Sequence, residues 1–584
     1  MSQDPQGNLR GRSCLRGKGA LLPIVLSLLQ ACLLSSAWAQ ADLSTQEFQR
    51  QQERERELRR QQERTPDVRL PTQPSAPSTR IPEQETPCYP LQRIELRGEE
   101  SARFAWLLDG ADADVAGRCL GVQGINAVMS RLQNAIVARG YVTTRVLAEP
   151  QDLNSGVLTL TILAGRVRHI RFAADADPRG TQWNALPVQP GQLLNLRDIE
   201  QGLENLKRVP TAEADIKIEP AQGEGALPGQ SDLVISYRQA FPLRLAVSLD
   251  DSGSDATGKY QGSITVSFDN WWTLNDLFYA SFNHDLGGGQ PGVRGQSGYT
   301  VHYSVPLGYW SLGFTTSSSD YHQTVAGLTQ SYLYRGRSDT SELKLSRLVY
   351  RDASRKTSLS AKAFLRSSSN YVDDTEIEVQ RRRTAGWELG VTHREFIADG
   401  TLDLNLAYRR GTGAFSSLPA PEESFGEGTS RFSLATLDLS LNQAFSVEAP
   451  WGRQALRYLL TARAQWNGSP LAPQERFSIG GRYTVRGFDG EMNLLAERGW
   501  FVRNELGAAL GGSGQEAFLG LDYGEVAGPS AQNLVGKHLA GAVAGLRGNL
   551  KNLSYEVFAG TPLSKPERLK TASLTAGFSL LWSY

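Results

Sequence analysis

Arg486 is the residue of this chain whose surroundings point most clearly to specific recognition. It lies in Val485-Arg486-Gly487-Phe488, inside the glycine-rich stretch 480–490. Glycines let the backbone adopt positive φ and approach a wall closely, and a guanidinium is a planar fork that suits a carboxylate. An isolated Arg-Gly pair is ordinarily a surface turn, so this stretch has to be judged with the rest of the chain. We interpret it as a buried loop tip that offers Arg486 to an acidic partner.

A candidate for that partner, Asp522, lies downstream in a stretch that alternates like a strand. Side chains on one face of a strand recur at every second position, which groups Phe518, Gly520, Asp522 and Gly524 on a single face. The two glycines leave room beside the carboxylate. Asp522 therefore projects where there is room for a partner, and it is a candidate to receive Arg486.

The sequence carries no recognisable catalytic motif. It contains neither Gly-x-Ser-x-Gly nor His-Glu-x-x-His, and its six histidines are scattered. The carboxylate pairs Asp250-Asp251 and Asp373-Asp374 lie next to predicted loops, where a solvated state is expected. We predict no catalytic residue, no metal site and no cofactor.

Length and composition narrow the class of protein. The chain has 584 residues and a formal net charge of zero, and its 58 glycines, 19 tyrosines and 11 tryptophans stand against 3 methionines. That length suggests about three or four structural units. The balanced charge argues against a nucleic-acid binder that relies on electrostatic attraction. The glycine and aromatic content favours a large β protein.

The N-terminus is predicted to be a signal peptide, residues 1–39. A basic segment precedes the apolar run 20–34, and a small-x-small cleavage site follows at 37–39, which is the pattern of an export signal. Cys32 makes a lipoprotein processing site the alternative. We conclude that the chain is exported.

Removal of that peptide leaves two cysteines, Cys88 and Cys119. In an oxidising compartment an isolated pair usually forms a disulfide, and closing a loop of about 30 residues stabilises the fold by about 3–4 kcal/mol. A metal site would need two further ligands nearby, and none is spaced for it.

Residues 40–64 are predicted to form a polar helix. From Leu43 onward they are almost wholly Gln, Glu and Arg, and Ser44 with Glu47 forms a capping box. Too few apolar residues are present to bury a stripe in a core, so the helix needs wet surroundings. Its length of roughly 30 Å suits a water-filled barrel lumen, and a solvated arm is the alternative. The proline-rich residues 65–87 are predicted to be an extended linker.

Two small α+β units are predicted next, at residues 88–165 and 166–239. The first reads as strand, two helices and two strands, and its second helix, 125–139, keeps apolar residues at helical spacing. The second unit repeats the order around a helix at 197–207 that Asn195 caps.

Beyond residue 240 apolar and polar residues alternate in one segment after another. About 16 such strands follow one another, an even number as a bacterial barrel requires. Short and long connections alternate, and aromatic residues lie beside the short ones, as at a membrane interface. We predict a mainly β protein whose residues 240–584 form a 16-stranded transmembrane β-barrel; a soluble all-β fold is the alternative. The predicted strands start near residues 243, 258, 274, 297, 309, 336, 355, 382, 401, 431, 455, 498, 516, 537, 552 and 570.

The longest connection, residues 467–497, carries Arg486 at its centre. About 15 residues on each side reach up to roughly 50 Å when extended, which is enough to fold back through a lumen.

Together these segments resemble the outer-membrane transporters of two-partner secretion, the exporters of haemolysins, filamentous haemagglutinins and contact-dependent inhibition proteins. The resemblance is carried by Val-Arg-Gly-Phe at 485–488 and Phe-x-Gly-x-Asp-x-Gly at 518–524, and it covers essentially the whole mature chain. These transporters belong to the superfamily that also contains the outer-membrane barrel insertase.

The resemblance implies a specific architecture. The two α+β units would be POTRA domains, residues 40–64 a plug helix, and the connection 467–497 a loop that folds into the lumen. There the arginine of the first motif meets the aspartate of the second, which carries over to Arg486 and Asp522.

The resemblance also implies a function. POTRA domains in the periplasm would recognise the N-terminal secretion domain of an unfolded exoprotein, such as an adhesin, a cytolysin or a contact-dependent toxin. A monomeric barrel in the lipid of the bacterial outer membrane would then secrete it without nucleotide hydrolysis. The alternative is a factor that inserts other barrels, which would usually carry more POTRA units and lack the plug helix.

Overall fold

The computed structural model describes residues 44–64, 66–71 and 80–584. The predicted signal peptide 1–39 and the first residues of the predicted plug helix lie outside the described residues. Within the described ranges, no helix combines the length and apolar composition that a membrane crossing would need.

The first element is the polar helix α1, residues 44–62. Ion pairs at i,i+3 support it, with Arg50 Nη1 2.6 Å from Glu47 Oε1 and Arg56 Nη1 2.6 Å from Glu53 Oε1. Its first turns are buried although they are mostly polar: Glu47 is 2% exposed and Phe48 7%. The polar composition therefore predicted the helix correctly, and its polar side chains find partners inside the molecule.

The first α+β unit has a three-stranded sheet in the order β2-β5-β4, with β2 parallel to β5. The predicted first helix is a 3-10 helix, Ser101–Leu107, that continues into a short helix kinked at Asp109 and Gly110. An additional two-stranded sheet, β1 with β3, was not predicted. The elements of the whole first unit are β1 (Tyr89–Leu91), β2 (Arg93–Arg97), α2 (Leu108–Val115), β3 (Arg118–Leu120), α3 (Val122–Ala138), β4 (Arg145–Leu147) and β5 (Val157–Leu163).

Cys88 and Cys119 form the predicted disulfide. Cys119 lies in β3 opposite Pro90 of β1, so the covalent bond and the extra sheet hold the same two segments together.

The second unit has a three-stranded sheet in the order β6-β8-β7, covered by one regular helix. The side chain of Asn195 accepts a hydrogen bond from the backbone of Arg197 at 2.8 Å and begins that helix, as predicted. Its elements are β6 (Arg166–Phe172), α4 (Leu196–Leu206), β7 (Ala212–Pro220) and β8 (Gln230–Gln239).

The remaining chain forms a closed antiparallel barrel of 16 long strands, and β27 pairs with β9 to complete it. Every predicted strand start lies within five residues of an observed one; the largest differences are at β14 and β27. The barrel strands are β9 (Leu243–Asp250), β10 (Gln261–Asp269), β11 (Leu277–Asp285), β12 (Arg294–Leu307), β13 (Trp310–Ala326), β14 (Ser331–Arg351), β15 (Arg355–Val372), β17 (Arg382–Ile397), β18 (Gly400–Thr412), β19 (Ser433–Ala449), β20 (Gly452–Asn467), β23 (Arg498–Ala509), β24 (Gln515–Ala527), β25 (His538–Leu550), β26 (Leu553–Ser564) and β27 (Thr575–Ser583).

Three shorter strands lie in connections. β16 (Thr375–Glu376) extends the hairpin after β15, while β21 (Phe477–Ile479) and β22 (Leu494–Ala496) pair with each other between β20 and β23.

The barrel wall has two chemically different faces. On β24, Leu519 is 66% exposed and Leu521 60%, whereas Phe518 before them and Asp522 after them are buried at 2% and 3%. Because successive side chains of a strand point to opposite faces, the exposed leucines face outward and the carboxylate faces the interior. This arrangement matches an apolar exterior in lipid and a polar interior.

Candidate functional site

The connection between β20 and β23 returns into the barrel as a hairpin, which we call the inner hairpin (residues 468–497). Its stem is formed by β21 and β22, with Phe477 opposite Ala496 and Ile479 opposite Leu494. A compact apolar cluster fixes the stem and tip against the inner wall. The cluster comprises Phe477, Ile479, Val485, Phe488, Leu494, Ala496, Phe501, Val526, Ala531, Leu539 and Leu569.

The tip of the inner hairpin delivers Arg486 to Asp522, as the sequence predicted. The Arg486 Nε lies 2.7 Å from Asp522 Oδ2 and its Nη2 lies 2.9 Å from Oδ1, while the Arg486 backbone N–H donates to Oδ2 at 3.0 Å. Arg486 is 5% exposed and Asp522 3%. The contact is a bidentate, desolvated ion pair reinforced by a backbone hydrogen bond.

A second carboxylate, Glu505, completes the arginine's surroundings and was not predicted. Arg486 Nη1 donates to Glu505 Oε2 at 2.6 Å, and Arg547 Nη2 lies 2.6 Å from Glu505 Oε1. Arg503 Nε lies 3.8 Å from Asp522 Oδ2. Alternation along β23 placed Glu505 and Arg503 on the inner face and could have identified them, whereas nothing local indicated that Arg547 would reach the same cluster.

Glycines form the seat in which the arginine lies. A Cβ on Gly520 would lie 2.6 Å from Arg486 Nη2, and one on Gly524 would lie 2.8 Å from Val485 Cγ2. A Cβ on Gly541, in the next strand, would lie only 1.9 Å from the Arg486 carbonyl oxygen. Glycine is therefore required at all three positions for the tip to approach the wall this closely.

The other residues of the two sequence motifs lie at different places around the arginine. Gly487 has φ +96° and packs against Thr561, where a side chain would meet the carbonyl oxygen at 2.5 Å. Val485 and Phe488 are buried in the apolar cluster at 0% and 4% exposure. Phe518 lies away from the tip, under the guanidinium of Arg547 at 4.7 Å from the ring centroid. Phe518 thus supports the charge cluster through Arg547.

The inner hairpin also reaches the seam where the barrel closes. Arg482 Nη1 donates to Asp251 Oδ1 at 2.7 Å, and the same carboxylate oxygen accepts the backbone N–H of Phe578 at 3.0 Å. Asp251 directly follows β9 and Phe578 lies in β27, so one arginine joins the hairpin to both sides of the seam. Asp251 was predicted to be solvated; it is in fact a partner of the inner hairpin.

Helix α1 contacts side chains that point into the barrel. Glu53 lies 2.7 Å from Arg463 of β20, and Arg59 lies 2.9 Å from Glu342 of β14. Near its end, Glu63 accepts a hydrogen bond from Tyr279 of β11 at 3.0 Å. The helix is therefore held by charged and polar groups from several strands.

Helix α1 and the inner hairpin touch each other. The amide of Gln49 donates to the carbonyl oxygen of Arg476 at 3.1 Å, and the Arg50 guanidinium donates to the carbonyl oxygen of Gly490. A polar cavity of about 540 Å³ remains between the two segments and the wall, lined in part by Arg56, Arg409 and Thr436. Two segments thus fill much of the interior and leave a limited aqueous space.

Binding of a metal ion would require several ligating side chains in the described part of the chain to lie together. Over residues 44–64, 66–71 and 80–584, no group of three or more His, Cys, Asp or Glu side chains is arranged to hold a metal ion.

Comparison with known proteins places these features in a family. The sequence matches the haemolysin secretion/activation protein family ShlB/FhaC/HecB over residues 229–548. It matches the ShlB-type POTRA domain over 89–165 and a further POTRA domain over 166–220.

Curated relatives and solved structures agree with that assignment. The outer membrane transporter CdiB-2 of Burkholderia pseudomallei (strain 1026b) is 37% identical over 514 residues, which is 85% of this chain and 86% of the relative. The haemolysin transporter protein ShlB of Serratia marcescens is 26% identical, with 85% of this chain and 86% of the relative covered. The structure of CdiB from Acinetobacter baumannii superposes with a TM-score of 0.80 at 29% identity and covers 93% of this chain and 99% of that one.

The resemblance recognised in the two sequence motifs is thereby confirmed, as are the 16-stranded barrel and the POTRA domains. The chain belongs to the ShlB/FhaC/HecB family of haemolysin secretion/activation proteins and is a two-partner secretion transporter of the outer membrane, with its POTRA domains in the periplasm.

Proposed function

We propose that the POTRA domains recognise an unfolded exoprotein in the periplasm and that the exoprotein leaves the cell through the barrel lumen without nucleotide hydrolysis. The partner would be a large secreted protein of the adhesin, cytolysin or contact-dependent toxin type, engaged through its N-terminal secretion domain. The observation that carries this proposal is that two segments occupy a polar lumen. Helix α1 is held by polar contacts that water can replace, and the inner hairpin is held in a defined seat around Arg486.

Helix α1 acts as a plug in this proposal. Its contacts with the wall are ion pairs and hydrogen bonds, such as Glu53 with Arg463 and Glu63 with Tyr279. Polar groups of this kind lose little free energy when water replaces the protein partner, because the net contribution of one hydrogen bond is only about 1 kcal/mol. A lumenal helix held in this way can leave without exposing a large apolar surface.

The inner hairpin acts as a latch in this proposal, with Val485, Arg486, Gly487 and Phe488 as the moving part. The wall motif Phe518, Gly520, Asp522 and Gly524 is its seat. A buried Arg–carboxylate pair is a weak source of net stability, but separating it strands a charge at a cost of roughly 3–5 kcal/mol. Such a contact strongly favours the seated position of the hairpin over slightly displaced ones. It therefore suits a segment that switches between two defined positions and does not move gradually.

The chain would be organised in consecutive parts along this path. We assign residues 40–64 to the plug helix, 65–87 to the linker, 88–165 and 166–239 to the POTRA domains, and 240–584 to the barrel. The POTRA matches over 89–165 and 166–220 lie within the two assigned POTRA ranges, and the family match over 229–548 covers most of the assigned barrel.

We further propose that the protein works as a monomer in contact with outer-membrane lipid. The pairing of β27 with β9 closes the barrel, and a closed barrel offers no free strand edge to a second copy. We assign it no enzymatic role, no cofactor and no nucleic-acid partner.

Co-expression in a host that lacks related transporters tests this function. The chain should release its cognate exoprotein into the medium, and an unrelated exoprotein of similar size should remain in the periplasm. A barrel that is inserted in the outer membrane but releases no member of the three exoprotein classes would overturn the proposal.

A further inference from the structure

Residues 66–71 run as an extended strap between the second POTRA domain and the periplasmic mouth of the barrel. Exposure alternates along the strap: Val68 and Leu70 are half-buried, whereas Asp67 and Arg69 are exposed. Val68 and Leu70 pack against the apolar core of the second POTRA domain. The strap therefore has a strand-like inner face that is apolar and an outer face that is charged.

Two carboxylates of α4 accept hydrogen bonds from the backbone of the strap. The Val68 N–H donates to Glu204 Oε1 at 2.9 Å, and the Leu70 N–H donates to Glu200 Oε1 at 2.8 Å. Carboxylates four residues apart on a helix lie on the same face about 6 Å apart, and alternate N–H groups of an extended chain have a similar spacing. The two carboxylates therefore match the spacing of the backbone N–H groups. This match does not depend on the side chains that the strap carries.

The barrel contributes the opposite wall. Arg351 is 3% exposed at its side chain and lies 3.0 Å from Glu200 and 2.9 Å from Glu204. It also donates to the Val68 carbonyl oxygen at 2.5 Å. Arg351 thus bridges the two carboxylates, which also pair with Arg197 and Lys356, and binds the strap at the same time.

Two cations of the barrel contact the acidic side chain of the strap, which remains 27% exposed. Asp67 lies 2.7 Å from Lys356 Nζ and 2.7 Å from Arg394 Nη1. Burial raises the pKa of Asp67, but the hydrogen bonds and charges of Lys356 and Arg394 outweigh it, so the pKa lies below its usual range. An ionised acid at this position is therefore part of the fit.

These groups make a complete site for an extended peptide. We call it the α4 groove, and it is formed by Glu200, Glu204, Arg351, Lys356, Arg394 and Phe396. The ring of Phe396 contributes by packing against the Arg69 guanidinium of the strap, 4.2 Å from the ring centroid.

We propose that the α4 groove binds an extended segment of the exported polypeptide, with an acidic residue followed by apolar residues one and three positions later, and that the chain's own Asp67-Val68-Arg69-Leu70 occupies it at rest. This inference rests on the proposed function. Because the strap begins only a few residues after α1 ends, a segment that displaces the strap also removes the periplasmic anchor of the plug helix. Recognition of the cargo and release of the plug would then be one competitive event.

A peptide-binding experiment on the full-length protein in detergent micelles tests the groove itself. The probe is a fluorescent peptide with the sequence of residues 66–71, and its control carries Lys in place of Asp67 and Ser in place of Leu70. In a Val68→Ser, Leu70→Ser variant, whose own strap is weakened, the probe should bind at least ~10-fold more tightly than to the wild type, because a tethered occupant competes at an effective concentration in the millimolar range.

Charge specificity provides the matched control. We expect the strap variant to prefer the probe over a peptide in which only the acid is replaced by Lys, by about 10-fold, since two cations face that position. Adding Lys356→Ala and Arg394→Ala should abolish this preference while leaving the heat-modifiable migration of the folded barrel unchanged. Equal binding of all peptides to all variants would overturn the proposal.

Competition between the exoprotein and the bound probe is the final measurement. The secretion domain of an exoprotein that passes the co-expression assay should displace the bound probe from the strap variant, and an unrelated unfolded protein should not. If the exoprotein is secreted but leaves the probe in place, the strap is only a structural tie and the groove proposal fails while the proposed function stands. Failure of secretion with the wild type would instead count against the proposed function.

Discussion

Replacing Arg486 with alanine is expected to abolish secretion of the exoprotein while the barrel remains inserted in the outer membrane. The substitution leaves Asp522 and Glu505 buried inside the wall, at 3% and 7% exposure, without the guanidinium that binds both. Glu505 keeps Arg547 as a partner, but Asp522 keeps only Arg503, at 3.8 Å. Removing one partner of a buried ion pair costs roughly 3–5 kcal/mol, which is enough to shift most inner hairpins out of the seat. The measurement is the amount of exoprotein in the medium relative to the amount of barrel in the membrane.

Two variants make this result specific. Arg335→Ala removes an arginine whose partner, Asp374, is fully exposed, at 3.0 Å; an exposed pair contributes at most about 1 kcal/mol, so secretion should be unchanged. Arg486→Lys keeps the charge but loses the bidentate fork and should secrete at an intermediate level. Normal secretion by Arg486→Ala would contradict the latch.

Deleting residues 44–64 is expected to raise the single-channel conductance of the purified protein several-fold in planar bilayers. An α-helix with side chains is about 10–12 Å across, and here it lies among inward-facing residues of several strands, including Arg463 and Glu342. Its removal opens that cross-section to ions. A current equal to that of the full chain would remove the plug assignment.

Substitutions within α1 refine this prediction. Glu53→Ala with Arg59→Ala breaks two contacts with the wall and should produce intermittent openings. Glu57→Ala with Arg60→Ala removes an ion pair of the same type whose members are 43% and 62% exposed and 3.8 Å apart. This second variant should conduct like the unmodified protein.

The sequence predicted those parts of the molecule that obey a local period. The strands of the barrel alternate residue by residue, so their number and order were predictable, and the same alternation placed Asp522 between two glycines on the inner face. Boundaries were less certain where turn residues can extend a strand, as at Ser331, where β14 begins five residues before the predicted start.

Long-range polar contacts were not predictable in the same way. Arg547 reaches the Arg486 cluster from β25, and Glu200 and Glu204 bind the strap, but no periodic pattern connects such residues along the chain. Helix α1 was predicted from its composition, yet its wall partners Arg463 and Glu342 could be found only once the barrel had closed around it.

Site-specific photocrosslinking in secreting cells tests most directly whether the exoprotein passes through the lumen. A photoreactive residue in place of Thr436, which lines the interior cavity, should crosslink to the exoprotein during export. The same residue in place of Leu437, whose side chain points to the opposite face of the strand, should not. Crosslinks from Leu437 and none from Thr436 would contradict passage through the lumen.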